Sequence, residues 1–374
     1  MELRGVVIVT GLLYVGSRML LDKSGRCLQS VCKTWNTLIS HPSFISTHLQ
    51  ASLSNNTPFL LLSYWENCKK DYFLHYDNDG FDEFKQLQFP VFGCASDSHS
   101  LVLGSADGLI CLHFWPGDVS KFILWNPFIR KYISLPWPRI SNDVHINFGF
   151  GFDSITNDYK LVIIGIEKED TWIKPFLFSL NENCWKRVNA IPPSYTSYSS
   201  ELSVPFVNGA VHWIGYQKTN NVVFTNAILG FDLSAEEFFE ISLPESLIGL
   251  GSMNLSTMKY GESSIAVLKR DRTNELLDLD VLWVMKEYGV VGSWTKVLTL
   301  TLHRKWFPNI LGFRKNGEVL VQLDYGKMAS LDLNCQQMEL HGVEVMTELI
   351  SLEGSYVESL VLLDKVVDVH SVSL

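Results

Sequence analysis

Phe122-Ile-Leu-Trp-Asn-Pro-Phe-Ile-Arg-Lys-Tyr-Ile-Ser-Leu-Pro136 reads as a β-hairpin. An apolar strand ends at Leu124-Trp125, Asn126-Pro127 turns the chain, and Tyr132-Ile133 runs out into Leu135-Pro136. Proline presets φ for such a turn, and asparagine bonds its own backbone there. The same grammar of apolar strand, Asp/Asn/Ser turn and second strand returns five times. Tyr72-Phe-Leu-His-Tyr-Asp77 leads to Leu87-Gln-Phe-Pro90, and Pro175-Phe-Leu-Phe-Ser-Leu180 leads through Cys184-Trp185 to Ile191-Pro192. Ile228-Leu-Gly-Phe-Asp-Leu233 leads to Ile241-Ser-Leu-Pro244, and Leu282-Trp-Val-Met285 leads through Ser293-Trp294 to Leu298. Met328-Ala-Ser-Leu-Asp-Leu333 leads to Met338-Glu-Leu340. With Tyr76, Asn126, Ser179, Asp232, Met285 and Asp332 as equivalents, the spacings are 50, 53, 53, 53 and 47 residues.

A second series runs out of phase with the first. Asp107-Gly108, Asp158-Tyr159, Asn208-Gly209, Gly261-Glu262 and Asn316-Gly317 each open an apolar strand such as Leu109-Ile-Cys-Leu112 or Ala210-Val-His-Trp213. Counted from Gly108, Tyr159, Gly209, Glu262 and Gly317, these recur at 51, 50, 53 and 55 residues. Two interleaved signals at one period imply a repeat of three to four short strands. A period near ~50 residues points to the kelch type of β-propeller blade. The competing fold is a non-repetitive β-sandwich, which strand spacing alone would also allow. The agreement of the two series favours a mainly β protein built as a propeller of six blades. The last strand, read as Tyr356-Val-Glu-Ser-Leu-Val-Leu-Leu363, is expected to pair with Pro58-Phe-Leu-Leu-Leu-Ser63 and close the ring.

Before the β region the periodicity changes. Val31, Cys32, Trp35, Leu38 and Ile39 lie on one face of a helix that His41-Pro42 stops, and a second helix begins at Pro42 and runs to Leu49. The boundaries read as a helical module over residues 1–50, a linker over 51–57 and the β body over 58–374. The apolar run Gly5 to Gly16 is 12 residues, too short for a bilayer, which takes roughly 17–25. No small-x-small cleavage site follows it, so it reads as a buried element of the module rather than a secretory signal.

Charge and cysteine usage narrow the function. The chain carries −10 overall; its first 50 residues are +3 and the remainder −13. An acidic body whose basic runs stop at pairs such as Lys69-Lys70 argues against nucleic acid as partner and offers no basic import signal. Seven cysteines without a Cys-x-x-Cys pair read as reduced thiols, which places the protein in the cytoplasm, with the nucleus still open. No Gly-x-Ser-x-Gly elbow, His-Glu-x-x-His pair or phosphate loop occurs, so no catalytic residue, metal site or cofactor is assigned. His212 reads as a satisfied core or channel residue, and Trp283 and Trp294 as packing between blades. Propeller enzymes exist, so fold by itself leaves catalysis open. Capture of a partner belongs on loops, and three stretches qualify: Ser194–Leu202, Tyr216–Asn221 and Lys269–Asn274. The Ser/Tyr-rich first stretch suits adaptable binding, which singles out Tyr195 and Tyr198, with Tyr216 from the second.

Cys27-Leu-Gln-Ser-Val-Cys-Lys-Thr-Trp-Asn-Thr-Leu-Ile-Ser-His-Pro-Ser-Phe-Ile45 resembles the second half of the F-box of plant F-box proteins. The body resembles their F-box-associated domain, in the group that includes S-locus F-box and F-box/kelch-repeat proteins. The matching motifs are Gly104-Ser-Ala-Asp-Gly-Leu109, Leu124-Trp-Asn-Pro127, Phe148-Gly-Phe-Gly-Phe-Asp-Ser154 with Asn157-Asp-Tyr-Lys160, and Val207-Asn-Gly-Ala-Val-His-Trp213. Phe231-Asp-Leu233, Trp283 to Val290 with Ser293-Trp-Thr-Lys296, and Tyr356-Val-Glu-Ser-Leu360 continue the series. The resemblance implies a substrate receptor of an SCF-type ubiquitin ligase. Its F-box, here Val31, Cys32, Trp35, Leu38 and Ile39, would dock a Skp-family adaptor joined to a cullin scaffold, and its β domain would hold a target protein. Such a receptor performs no chemistry; it raises the effective concentration of a target lysine. The chain departs from the family at the start, where Leu3-Arg4 stands in place of Leu-Pro and Asp22-Lys-Ser-Gly25 is inserted. That is expected of a decayed F-box, or of a chain start other than the family's. The alternative function is therefore a stand-alone protein-interaction module that no longer engages the ligase.

Overall fold

The computed structural model describes residues 33–54, 59–66, 69–87, 99–115, 120–138, 140, 144–167, 172–193, 197–198, 204–219, 223–250, 254–271, 277–303, 309–323, 327–344 and 349–365. Among the described residues, two helices, α1 (Lys33–Ile39) and α2 (Pro42–Ser54), precede six antiparallel sheets. The first blade combines β1 (Phe59–Glu66), β2 (Lys69–Tyr76) and β3 (Glu83–Leu87) with β25 (Leu349–Tyr356). The second is β4 (His99–Ala106), β5 (Leu109–Trp115), β6 (Lys121–Asn126) and β7 (Lys131–Leu135). The third is β8 (Val144–Asp153), β9 (Asp158–Glu167), β10 (Trp172–Ser179) and β11 (Cys184–Arg187). In the fourth, β12 (Ser197–Tyr198) and β13 (Phe206–Val207) share the innermost place beside β14 (Ala210–Thr219), β15 (Val223–Asp232) and β16 (Glu237–Ile241). The fifth is β17 (Leu255–Tyr260), β18 (Ser264–Asp271), β19 (Leu277–Met285) and β20 (Trp294–His303). The sixth is β21 (Asn309–Phe313), β22 (Val319–Gln322), β23 (Lys327–Leu331) and β24 (Met338–Glu344).

The first strands meet in a ring, β25 to β4 to β8 to the fourth blade, then β17, β21 and back to β25. This is a six-bladed propeller, and the sandwich is excluded. Middle strands lie between two neighbouring blades and are buried on both faces, which is why β6, β18 and β22 read as apolar runs. Outer strands such as β7 and β16, and inner strands such as β17 and β21, alternate or are half-exposed. Six apolar clusters result, one at each interface between consecutive blades. Both sequence series have a structural meaning. Tyr76, Asn126, Ser179, Asp232 and Met285 end the third strands, with Asp332 one residue beyond β23, and the second series marks the turns from first to second strand.

Four of those third-strand turns share one form. The side chain of the first residue accepts backbone amides two or three residues on: Phe128 and Ile129 at Asn126 (3.0 and 3.4 Å), Ser234 and Ala235 at Asp232 (2.7 and 2.8 Å), Asn334 at Asp332 (2.7 Å). The Ser179 hydroxyl accepts from the Glu182 amide at 3.0 Å. Four residues after each start stands a left-handed residue, Arg130, Asn183, Glu236 and Gln336. Asp153 and Asn157 repeat the form at a turn from first to second strand.

Two expectations are corrected. Ring closure is made by Leu349–Tyr356, with Phe59 opposite Tyr356 and Trp65 opposite Leu349, and not by Tyr356–Leu363. The apolar run after Tyr356 is turn, and Leu360, Leu362 and Leu363 are buried without entering a sheet. Buried apolar side chains alone do not separate a strand from a loop pressed onto a core. The second helix also runs beyond Leu49 to Ser54, into the residues read as linker, because Ala51 to Ser54 offer no breaker before Pro58.

Candidate functional site

The strand order gives the ring two unlike faces. Turns from first to second strand and from third to fourth strand gather on one face, the turn face. The strand ends that lead from second to third strand and from blade to blade lie on the other, as does the 3-10 turn Glu245–Leu247 after β16. The turn face is stapled across blades. Lys160 Nζ donates to Asp153 at 2.8 Å and to the Leu233 carbonyl at 2.7 Å, Asn208 to the Ser263 carbonyl at 2.8 Å, and Arg314 to Asp77 at 2.9 Å.

The two helices sit on the turn face of the second blade. His41 starts α2: its Nδ1 accepts the Ser43 amide at 3.3 Å and its carbonyl accepts the Phe44 amide at 2.9 Å. Phe44, Ile45, His48 and Leu49 form the buried face of α2. Ile39, Phe44 and Ile45 belong to the apolar cluster between the second and third blades, and the His48 ring lies 6.3 Å from that of Phe128. Burial lowers the His48 imidazole to about 4, so this face is neutral at physiological pH. Leu38 points away and is 39% exposed, whereas Ile39 is 3% exposed. Of the five residues read as docking positions, Leu38 is thus at the surface and Ile39 is spent on the body. Val31 and Cys32 lie outside the described residues, as does the apolar run from Gly5 to Gly16.

The strand ends that flank the three stretches read as capture loops lie on the face opposite the helices. Tyr198 lies in β12, paired with Gly215. Residues 220–222 and 272–276 lie outside the described residues, as does Tyr195. Tyr216 is corrected: it is in β14, not in a loop, and is fully buried in the cluster between the fourth and fifth blades. The apolar pattern of Ala210 to Tyr216 continues the strand past Trp213, and polar Gln217 to Thr219 extend it to the edge. Trp294 packs between blades and donates to the Ser242 carbonyl at 3.1 Å, with Trp283 partly buried against the same cluster. His212 is buried, its Nε2 sharing a 2.7 Å bond with the Tyr288 hydroxyl, and burial lowers it to about 4.

Inside the ring, the innermost strands line a cavity of about 1090 Å³ that Ser52 and Leu53 of α2 also border. Its charges are largely matched. Lys70 donates to Glu353 at 2.6 Å, beside a 2.6 Å bond from Ser63, and Lys259 lies 3.3 Å from Glu262. Burial raises the Asp107 carboxyl, opposed by Lys259. Among the described residues, no group of three or more His, Cys, Asp or Glu could hold a metal ion, and no helix is long and apolar enough to cross a membrane.

Sequence reading missed Asn126 and Lys131 as more than turn residues. Asn126 is fully buried and donates to the carbonyls of Ser359 and Val361, both at 2.9 Å; Lys131 donates to the Leu363 carbonyl at 2.9 Å. The signal was the apolar Leu360-Val-Leu-Leu363, which needs cover somewhere on the body.

Comparison with known proteins follows the same lines. The family described as F-box associated beta propeller domain matches residues 67–331. The F-box protein CPR1 of Arabidopsis thaliana is 27% identical over 341 residues, covering 84% of this chain and 78% of that protein. An F-box/kelch-repeat protein of the same plant is 24% identical, covering 74% and 75%, and a further F-box protein 28% identical, covering 82% and 79%.

Proposed function

Since the chain belongs to the F-box-associated β-propeller family, we propose that it is the substrate-recognition subunit of an SCF-type ubiquitin ligase. In this reading the helical module docks on a Skp-family adaptor, itself joined to a cullin scaffold, and the propeller holds the protein to be modified. The observation that carries it is the division of the molecule into two sides. The helices are seated on the turn face with Leu38 outward, and β11, β14, β15, β18 and β19, which flank the candidate capture stretches, turn their ends next to those stretches toward the opposite face. A receptor so arranged keeps a target on the side away from the adaptor and supplies proximity rather than chemistry.

Co-purification of the full chain with a plant Skp-family adaptor tests this. The wild type is expected to hold the adaptor, and Trp35→Ala/Leu38→Ala to weaken it by about tenfold or more, the effect of losing a central apolar anchor. A well-folded wild type that holds no adaptor would leave the stand-alone interaction module, which the departures at Leu3-Arg4 and Asp22–Gly25 favour. For the capture face, Tyr195→Ala/Tyr198→Ala is the corresponding variant once a target is in hand.

A further inference from the structure

Ring closure is complete at Tyr356, yet the chain continues across the second blade in a fixed path. Residues 357–365 have no strand partner; they are held by side chains. Asn126 Nδ2 donates to Ser359 O (2.9 Å), Ser359 Oγ (3.2 Å) and Val361 O (2.9 Å), and Lys131 Nζ to Leu363 O (2.9 Å). Gly108 leaves the room this path needs: a Cβ there would collide with Ser359 and with the Val357 carbonyl. Leu360, Leu362 and Leu363 are buried in the same cluster as Ile39, Phe44 and Ile45 of the helices and Phe122, Leu124 and Ile129 of the blade. Val357 lines the central cavity together with Ser52 and Leu53 from the end of α2.

We propose that Val357–Lys365 is a strap that seats the helical module on the propeller, with Asn126 as its fastening. The segment closes no sheet, so its contribution is to complete the apolar surface on which α1 and α2 lie. Helices of 7 and 13 residues are too short to persist in water unaided, where roughly 12–15 residues are marginal even for good formers. Their order depends on that surface. With the strap in place, helices and ring move as one body and the span between the two faces is fixed; with it released, the helices lose part of the surface that orders them. The consequence for a bound target rests on the ligase reading, whereas the strap itself does not.

The turn provides a selective variant. Equivalent turns begin with Asp232 and Asp332, whose carboxylates accept the same backbone amides that Asn126 accepts. Asn126→Asp therefore keeps the turn but replaces the donor facing Ser359 O and Val361 O with an acceptor. Amide hydrogen exchange on the full-length protein reads the result. Protection of the α2 amides is expected to fall by about tenfold or more, while amides of β9, β14 and β18 keep theirs; Lys131→Met, which removes the bond to Leu363, gives a smaller loss in the same place. Unchanged α2 protection in Asn126→Asp would overturn the proposal. So would equal loss in the middle strands, because the segment would then belong to ring stability and not to the seat. No adaptor enters this measurement, so its failure and the failure of the ligase reading are told apart.

Discussion

Asn126 and Asp153 open turns of one form, and a single atom decides what each holds. An amide has one donor and one acceptor end; a carboxylate has two acceptors. Asn126 caps its turn with oxygen and reaches two carbonyls with nitrogen. Asp153 caps with Oδ1, which also accepts the Ser234 hydroxyl from the fourth blade at 2.5 Å, and its Oδ2 accepts Lys160 and Thr156. Burial would raise the Asp153 carboxyl, but these bonds outweigh it and hold the group well below the ordinary carboxylate range. Lys160→Met, which strands that carboxylate, is expected to cost about 3 kcal/mol in urea unfolding. The double variant with Asp153→Asn is expected to recover most of it. The caps were legible because a cap is local in sequence. The reach was not: Asn126 meets residues 233 and 235 positions away, and Asp153 meets Ser234 at 81.

At the scale of elements, middle strands were easier to read than their order at the chain's end. β6 and the Ile228–Phe231 part of β15 stood out because both faces are buried there, giving runs that no exposed strand would carry. Leu349–Tyr356 was passed over for the stretch after it. Ser351, Glu353 and Ser355, which line the cavity together with Ile350 and Leu352, break up the apolar run that would otherwise mark the strand. The structure separates the two segments by truncation. Removing residues from Val357 on is expected to leave a cooperatively melting propeller with a Tm lower by several degrees, from the loss of Leu360, Leu362 and Leu363. Removing residues from Leu349 on opens the ring, exposes the edge of β1 and is expected to abolish cooperative melting by circular dichroism.

For the whole molecule, the ~50-residue period was enough for blade number because each blade repeats one set of interfaces. The seat of the helices was not, since it draws on α1, α2, the second blade and the strap together. Burial of titrating groups is likewise a property of the assembled ring. His48, His75, His113 and His212 are each lowered from 6.5 to about 4, chiefly by burial. The unfolded chain takes up their protons first, so stability is whole above pH 6.5 and is lost as pH falls toward 4. Asp153, lowered from 3.8, adds its loss only below that value. Melting scans are expected to show Tm declining between pH 6.5 and 4, before carboxylates titrate; a Tm flat across that range would contradict the buried neutral histidines.

The first blade takes three strands from one end of the chain and its innermost strand from the other. During synthesis this fixes an order of events. Blades two to six can pair as they leave the ribosome, but β1 waits for a partner nearly three hundred residues later. At 5–20 residues per second that is a delay of roughly 15–60 s, during which the edge of β1 is open to any chaperone or neighbouring strand. The helices wait longer still, because their seat emerges only after the ring can close. A ribosome halted before Leu349 would thus release neither a closed propeller nor a fastened module.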